Sequence, residues 1–250
     1  MKKSHKIIVG MVVFAVVGTG FAAEHISHIR NKPVVIPENF TITAHTGCEG
    51  TADNSLEAIQ KGYESGADIV EFDVNFTADG EPVLAHDNAE NDSVKLKDAF
   101  ELVAKCEGLR VNVDCKATDN LRAIAETAQA CGILDRIFYT GIEEKDVEAV
   151  RMQTPDIVYY LNADIIKSKK NDEDYIRSLV KLTKDSGAAG LNINFGGVSK
   201  KMTDIFREEG LEVSVWTVNK QLDMHKVLAL GCDNITTRQP NKLKEIINSK

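Results

Sequence analysis

Two kinds of segment alternate along the chain from residue 40 onward. The first kind is strand-like, and in four of its segments polar and apolar residues alternate with the period of two typical of strands; in the second kind, apolar residues recur at helical spacing. The predicted strands are Phe40–His45, Ile69–Asn75, Pro82–His86, Arg110–Lys116, Arg136–Thr140, Ile157–Leu161, Gly190–Phe195, Glu212–Val218 and Asn234–Thr236. The predicted helices include Ser55–Ser65, Asn120–Cys131, Glu143–Met152, Asp172–Asp185, Lys200–Glu209, Gln221–Leu230 and Asn241–Asn248. This alternation predicts a parallel sheet covered by helices.

Two of these strands are joined too closely to be parallel neighbours. Residues 76–81 alone separate Ile69–Asn75 from Pro82–His86, and they contain the turn signal Asp79-Gly80. A parallel crossover needs a dozen residues or more, so this pair is predicted to be an antiparallel hairpin. Eight parallel strands remain, which predicts an α/β fold: a (β/α)8 TIM-type barrel with a β-hairpin after the second barrel strand. An open doubly wound sheet is the alternative, but no glycine-rich nucleotide loop follows the first strand.

The N-terminal residues are predicted to be a targeting segment outside the fold. A lysine-rich start (residues 1–6) precedes the apolar run Ile7–Ala23, which is typical of a signal peptide over residues 1–23. An uncleaved membrane anchor is the alternative, although the run is short for a bilayer. Residues 24–39 are predicted to be a tether, and residues 40–250 the barrel domain. Both alternatives predict an exported protein that is extracellular or anchored on the outer side of the cytoplasmic membrane, and the anchor would associate it with that membrane.

Composition narrows the function classes further. The 250 residues are 43% hydrophobic and 27% charged, which is typical of a globular chain, and the net charge is −8. That acidic balance argues against nucleic acid as a partner, because nucleic-acid binding needs a basic face. The five cysteines are odd in number and include no CxxC pair, so they form neither a disulfide framework nor a zinc site.

Carboxylates fall on the polar faces of two predicted strands. Glu71 and Asp73 alternate with apolar residues, as does Asp114 on another strand, so we expect all three to point into the barrel. Three oxygen donors without paired cysteine ligands favour a divalent cation, Ca²⁺ or Mg²⁺, over zinc. Such a cation would bind phosphoryl oxygens and offset negative charge in a transition state. The alternative is a structural ion-pair network with Lys116.

Two histidines are candidates for proton transfer. His45 ends the first predicted strand and His86 ends the hairpin arm, so both are expected at the mouth of the barrel. A pair of imidazoles flanking a phosphodiester can act as general base and general acid near neutral pH. Plain solvent exposure is the alternative for either ring.

Two further positions are interpreted from local pattern. Asn54 with Glu57 three residues later resembles a capping box, so Asn54 is predicted to be a helix N-cap. Trp216 shares the inward face of a late strand with Ser214 and could form an apolar wall of a substrate site. A simple core role is the alternative for the tryptophan.

Several blocks of the sequence, in order, resemble the glycerophosphodiester phosphodiesterase family. The blocks that carry this resemblance are Ala44–Gly47, Asp53–Ser55, Gly66–Val74, Thr77–Asp87, Asn112–Lys116, Val215–Asn219 and Gly231–Thr237. The resemblance implies a (β/α)8 barrel that hydrolyses small-molecule glycerophosphodiesters to sn-glycerol 3-phosphate and an alcohol. It also implies that Glu71, Asp73 and Asp114 bind a divalent cation. His45 and His86 would be the acid–base pair, and Lys116 would bind the phosphate.

The sequence departs from the family at two positions. Thr46 stands where the family has an arginine, and its neutral hydroxyl cannot replace a bidentate guanidinium on phosphate. Asp114 stands where the family has a glutamate, which shortens one predicted metal ligand by a methylene. We keep Thr46 and Trp216 beside Lys116 as candidate substrate-binding residues. Two alternative functions stay open: a lysophospholipase D-like lipid hydrolase, favoured by a long apolar groove at Trp216, and a catalytically weakened barrel that binds phosphate ligands at the cell envelope.

Overall fold

One nine-stranded sheet organises the computed structural model, which describes residues 27–30 and 32–249. The strands are β1 Thr41–Ala44, β2 Ile69–Phe76, β3 Pro82–Leu84, β4 Arg110–Cys115, β5 Ile137–Ile142, β6 Tyr159–Asn162, β7 Gly190–Asn194, β8 Glu212–Trp216 and β9 Asn234–Thr237. Their spatial order is β1-β9-β8-β7-β6-β5-β4-β2-β3, with β1 also pairing β2. The predicted leader, residues 1–23, lies outside the described residues.

The pairing of β1 closes the sheet into a barrel. β1 runs parallel to β9 on one side, with Ala44 opposite Thr237, and parallel to β2 on the other, with Ala44 opposite Val70. The remaining barrel pairs are also parallel. β3 pairs antiparallel with β2, with Val74 opposite Leu84. The predicted (β/α)8 barrel with a hairpin after its second strand is therefore confirmed.

A helix follows each of the eight barrel strands before the next begins. These helices are α1 Leu56–Glu64, α2 Leu96–Ala104, α3 Leu121–Ala130, α4 Val147–Gln153, α5 Glu173–Ser186, α6 Lys200–Glu208, α7 Gln221–Leu228 and α8 Pro240–Asn248. The helix α2, which follows the hairpin, was not among the helices identified from the sequence. Each parallel connection therefore crosses the outside of the barrel through a helix, as the fold requires.

The apolar core lies between the strands and the helices, whereas the inside of the barrel is largely polar toward the carboxyl ends of its strands. The Thr140 hydroxyl donates to Asn112 Oδ1 at 2.8 Å, and the Ser214 hydroxyl donates to Asn192 Oδ1 at 2.9 Å. Asn234 Nδ2 donates to the Thr43 hydroxyl at 2.7 Å and continues this network. These hydrogen bonds confirm the predicted polar interior and offset the cost of burying its amides and hydroxyls.

The segment before β1 contacts the barrel. The Val35 backbone N–H donates to the Leu228 carbonyl at 3.0 Å, and Ile29 is buried. Within residues 27–30 and 32–249, no helix combines the length and the apolar character that crossing a membrane requires.

Replacing Phe100 on α2 tests how the core between the strands and the helices is packed. It is fully buried and contacts Phe72 of β2, with ring centroids 6.1 Å apart. Phe100→Ala is expected to lower the free energy of unfolding by about 3–5 kcal/mol, because it removes the ring and leaves a cavity. Urea unfolding measures this loss. Met152→Ala, at a side chain 72% exposed, is the control and should cost little; equal losses in the two variants would contradict this packing.

Candidate active site

Three carboxylates meet at the carboxyl end of two neighbouring strands. Glu71 and Asp73 lie on the inward face of β2, and the β2–β4 register sets Asp73 opposite Asp114. One carboxylate oxygen from each residue lies within 4.8 Å of the others. Glu71, Asp73 and Asp114, which we call the carboxylate cluster, are thus brought together as the sequence predicts.

Lys116 is the cation that faces the carboxylate cluster. It follows the end of β4, and its Nζ lies 2.9 Å from Asp73 Oδ1 and 2.6 Å from Asp114 Oδ2. Burial alone would lower the pKa of Lys116, but the two carboxylates outweigh it and raise the pKa above its ordinary value. The ion-pair network that the sequence analysis kept as an alternative is therefore present.

One ammonium group does not balance three carboxylates. Burial, and then the charges of Asp73 and Asp114, raise the pKa of Glu71 well above its ordinary value. The Thr46 backbone N–H donates to Glu71 Oε2 at 2.9 Å and opposes this shift only in part. The excess negative charge, the exclusively oxygen donors and their spacing fit a hard divalent cation such as Mg²⁺ or Ca²⁺.

Asn54 holds the carboxylate cluster in place, and this role was missed from the sequence. Its Nδ2 donates to Asp73 Oδ2 at 2.9 Å, and its Oδ1 accepts the Asp73 backbone N–H at 3.0 Å. The predicted helix cap is wrong, because Ser55 caps α1 by accepting the Ala58 N–H at 3.1 Å. Asn54 instead adopts a left-handed backbone with φ 53°, which asparagine tolerates and which turns its amide toward β2. The Asp53–Ser55 block of the family resemblance was the signal that could have identified it.

Thr46 lines the cavity, but its hydroxyl is engaged within the protein. The hydroxyl accepts the Asn54 backbone N–H at 2.5 Å and donates to Asn54 Oδ1 at 3.3 Å. The residue is 3% exposed. Thr46 therefore supports Asn54 and Glu71, and its role in substrate binding remains a prediction.

His45 lies directly after β1, at the edge of the carboxylate cluster. Its backbone N–H donates to the Thr237 carbonyl at 2.9 Å. Its Nδ1 lies 2.9 Å from the Thr46 carbonyl oxygen and 3.9 Å from Glu71 Oε2. Burial is the main cause that lowers the pKa of His45; the Thr46 carbonyl opposes it, and the charge of Arg238 adds to it.

His86 lies two residues after β3 and also lines the cavity. Its side chain is 62% exposed, and its Nδ1 lies 2.7 Å from Asp87 Oδ1. The hairpin arm thus brings a second imidazole to the same mouth as His45, as the sequence predicts. The two rings have different surroundings, because His45 is mostly enclosed and His86 faces solvent beside a carboxylate.

A cavity of about 560 Å³ opens over these groups at the carboxyl ends of the strands. Trp216, at the end of β8, lines it as predicted and is 36% exposed. The cavity also contains polar side chains that the sequence analysis did not select, namely Asp53, Asn112, Asn162, Asn192 and Arg238. Their signal was the recurrence of polar residues on inward strand faces and directly after strands.

Comparison with known proteins agrees with this architecture. The profile described as "Glycerophosphoryl diester phosphodiesterase family" matches residues 43–107 and 95–242. The chain is 28% identical over 241 residues to the uncharacterized protein YqiK of Bacillus subtilis, an alignment that covers 84% of this chain and 99% of the relative. It is 22% identical to a glycerophosphodiester phosphodiesterase of Caldanaerobacter subterraneus over 82% of this chain and 97% of that one.

Solved structures show the same fold. A putative glycerophosphoryl diester phosphodiesterase of Silicibacter pomeroyi superposes with a TM-score of 0.71 at 18% identity, covering 88% of this chain and 96% of its own. An Oleispira antarctica phosphodiesterase solved with sn-glycerol-3-phosphate superposes with a TM-score of 0.65 at 18% identity, covering 85% and 97%. The family profile spans most of the barrel and includes the carboxylate cluster and both histidines. The chain therefore belongs to the glycerophosphoryl diester phosphodiesterase family.

Proposed function

We propose that the protein hydrolyses water-soluble glycerophosphodiesters to sn-glycerol 3-phosphate and an alcohol, using a divalent cation and two histidines. The observation that carries this proposal is the meeting of the carboxylate cluster, His45 and His86 at one cavity in a member of this family. The sn-glycerol-3-phosphate bound by the Oleispira relative supports the choice of product.

The carboxylate cluster would hold the cation, and Ca²⁺ and Mg²⁺ both suit its oxygen donors. When bound, such a cation neutralises phosphoryl oxygens and stabilises the charge that develops in the transition state. Asn54 orients the Asp73 carboxylate, and the Thr140 hydroxyl oxygen lies 3.1 Å from Asp114 Oδ1. These contacts restrict two of the three carboxylates before any ligand arrives.

His45 suits the role of general base. The Thr46 carbonyl can only accept a hydrogen bond, so the contact at 2.9 Å places the proton of the neutral ring on Nδ1. Nε2 is then the free acceptor, which takes the proton of the attacking hydroxyl as the new oxygen–phosphorus bond forms. That hydroxyl belongs to water or to the glycerol of the substrate itself.

His86 suits the role of general acid. The Asp87 carboxylate accepts from Nδ1, so proton exchange with the substrate would use Nε2. As the phosphorus–oxygen bond to the alcohol breaks, the departing oxygen takes a proton from this ring. Its exposed position at the mouth leaves room for leaving groups of different size.

The cavity lining favours a soluble headgroup over a lipid. Among the described residues that line it, Trp216 is the single large apolar side chain, and carboxylates, amides, hydroxyls and cations form most of the rest. A lysophospholipid would need a long apolar groove for its acyl chain. Trp216 would instead form one apolar wall beside the glycerol or the headgroup.

We further propose that the protein is exported and works outside the cytoplasm. The support is the basic start and apolar run of residues 1–23, which lie outside the described residues. Export would give the barrel access to glycerophosphodiesters released from membrane lipids. The barrel would then be either a free secreted domain or a domain attached to the membrane by its N-terminal segment.

Metal dependence is tested with the purified full chain and glycerophosphocholine. We expect glycerol 3-phosphate to form with Mg²⁺ or Ca²⁺, to stop forming with a chelator and to return with excess cation. Glu71→Gln should raise the cation concentration for half-maximal activity by about tenfold or more, because one charged ligand is lost. Glu57→Gln, at an exposed position of α1, is the matched control.

The outcomes of this assay separate the parts of the proposal. Product formation that resists the chelator would contradict the metal site. Absence of product from every glycerophosphodiester, together with retained binding of glycerol 3-phosphate, would favour the weakened binding barrel. Faster hydrolysis of lysophosphatidylcholine than of glycerophosphocholine would favour the lipid hydrolase.

Replacing either histidine tests the acid–base pair. His45→Ala and His86→Ala are each expected to lower kcat by about 10²–10⁴-fold, the usual contribution of a positioned proton donor or acceptor. His28→Ala, at an exposed histidine before β1, should leave kcat unchanged. Thermal unfolding checks that the variants are folded. If either variant keeps a kcat within threefold of the wild-type value, the assignment of that histidine to proton transfer is contradicted.

A further inference from the structure

The departure at Thr46 leaves the site without the arginine that the family resemblance implies there. Thr46 cannot compensate, because its one hydroxyl proton is already donated to Asn54 Oδ1. Lys116 is engaged by Asp73 and Asp114 at 2.9 and 2.6 Å. A phosphodiester entering this cavity therefore finds no free cationic hydrogen-bond donor at Thr46 or Lys116.

Arg238 reaches the same place from the other side of β1. It directly follows β9, whose last residue, Thr237, lies opposite Ala44 in the β1–β9 pair. The Arg238 backbone N–H donates to Asn219 Oδ1 at 2.8 Å, and its carbonyl accepts the Glu49 N–H at 2.9 Å. The backbone of Arg238 is thus held on both sides, and its side chain lines the cavity.

The guanidinium of Arg238 lies between Asp53 and His45. Nη2 is 2.9 Å from Asp53 Oδ1, and Nε is 3.3 Å from His45 Nδ1. That same Nδ1 is 3.9 Å from Glu71 Oε2, so a single imidazole nitrogen separates the guanidinium from the carboxylate cluster. Nη1 has no hydrogen bond among the contacts of the described residues.

The contact between Arg238 and His45 leaves one donor unsatisfied. His45 Nδ1 is close to both the Thr46 carbonyl, which only accepts, and Arg238 Nε–H, which only donates. A single ring nitrogen cannot serve both in one tautomer. With the proton on Nδ1 directed to Thr46, Arg238 Nε–H lacks an acceptor, so this contact does not hold the guanidinium against His45.

Among the described residues that line the cavity, no other cation offers a planar guanidinium. Arg238 is the sole arginine among the described lining residues, and Lys145 is a rim residue that pairs with Glu143 at 2.9 Å. A guanidinium can hold two phosphate oxygens at once, whereas an ammonium acts as a point charge. Arg238 thus has both the position and the donor geometry that Thr46 lacks.

We propose that Arg238 binds the substrate phosphate, supplying from the end of β9 the guanidinium that Thr46 does not supply beside His45. This proposal rests on the proposed function, since it assigns a further residue to the same reaction. Nη1 would donate to a phosphate oxygen while Nη2 keeps its ion pair with Asp53.

Steady-state kinetics with glycerophosphocholine test this assignment. Arg238→Ala is expected to raise KM by about tenfold or more and to raise the inhibition constant of glycerol 3-phosphate similarly, because a charge-assisted contact to phosphate is lost. Arg238→Lys should recover part of this loss. Added guanidinium chloride at low concentration should lower the raised KM of Arg238→Ala and leave the KM of the wild-type protein unaffected. Arg122→Ala, at an exposed arginine of α3, is the matched control.

The results distinguish this role from a structural one. If Arg238 only holds Asp53, then Asp53→Asn would reproduce the whole KM defect and guanidinium would rescue neither variant, which overturns the proposal. Unchanged KM and inhibition constants in Arg238→Ala would also overturn it. If the wild-type protein hydrolyses no glycerophosphodiester, the proposed function is refuted instead. Failure of the Arg238 assignment is therefore distinguishable from failure of the proposed function.

Discussion

Charge compensation at the carboxylate cluster is the constraint on which this end of the barrel depends. Glu71 and Asp73 are buried and Asp114 is partly buried beside them, so each needs a donor or a cation. Lys116 compensates part of the charge, and Asn54 and the Thr46 N–H supply hydrogen bonds. The remaining negative charge is what makes the cluster suited to a divalent cation.

The barrel converts this local requirement into a site. Parallel register sets Asp73 beside Asp114, and closure of β1 on β2 and β9 brings His45 to the same mouth. The hairpin adds His86 from outside the barrel wall. One ring is thus held by backbone contacts and partly buried, while the other is exposed, and the proposed assignment of base and acid uses this difference.

Thr46, which stands where the family resemblance implies an arginine, changes the site only locally, because the end of the adjacent strand β9 reaches the same cavity. Thr46 has become part of the support of Asn54, so an arginine there would displace both hydrogen bonds. β1 and β9 are adjacent, so a phosphate contact can move from the end of one strand to the end of the other without leaving the cavity. The proposed role of Arg238 is such a displacement.

Local sequence patterns were sufficient to predict the barrel, the hairpin and the principal polar groups. Period-two alternation placed Glu71 and Asp73 inside, and the short connection at residues 76–81 excluded a parallel crossover. These are local patterns, because the direction of a strand side chain depends on its parity alone. The same reasoning placed His45 and His86 at strand ends.

The contacts of Asn54 and Arg238, in contrast, form between segments that are distant in sequence and become neighbours in the folded barrel. Asn54 matches a helix cap as well as Ser55 does, and its partner Asp73 lies 19 residues away. Arg238 is 193 residues from His45 and 185 from Asp53, so barrel closure alone brings them into contact. Local pattern specifies which way a side chain points, but its partner depends on which strands become neighbours when the sheet closes.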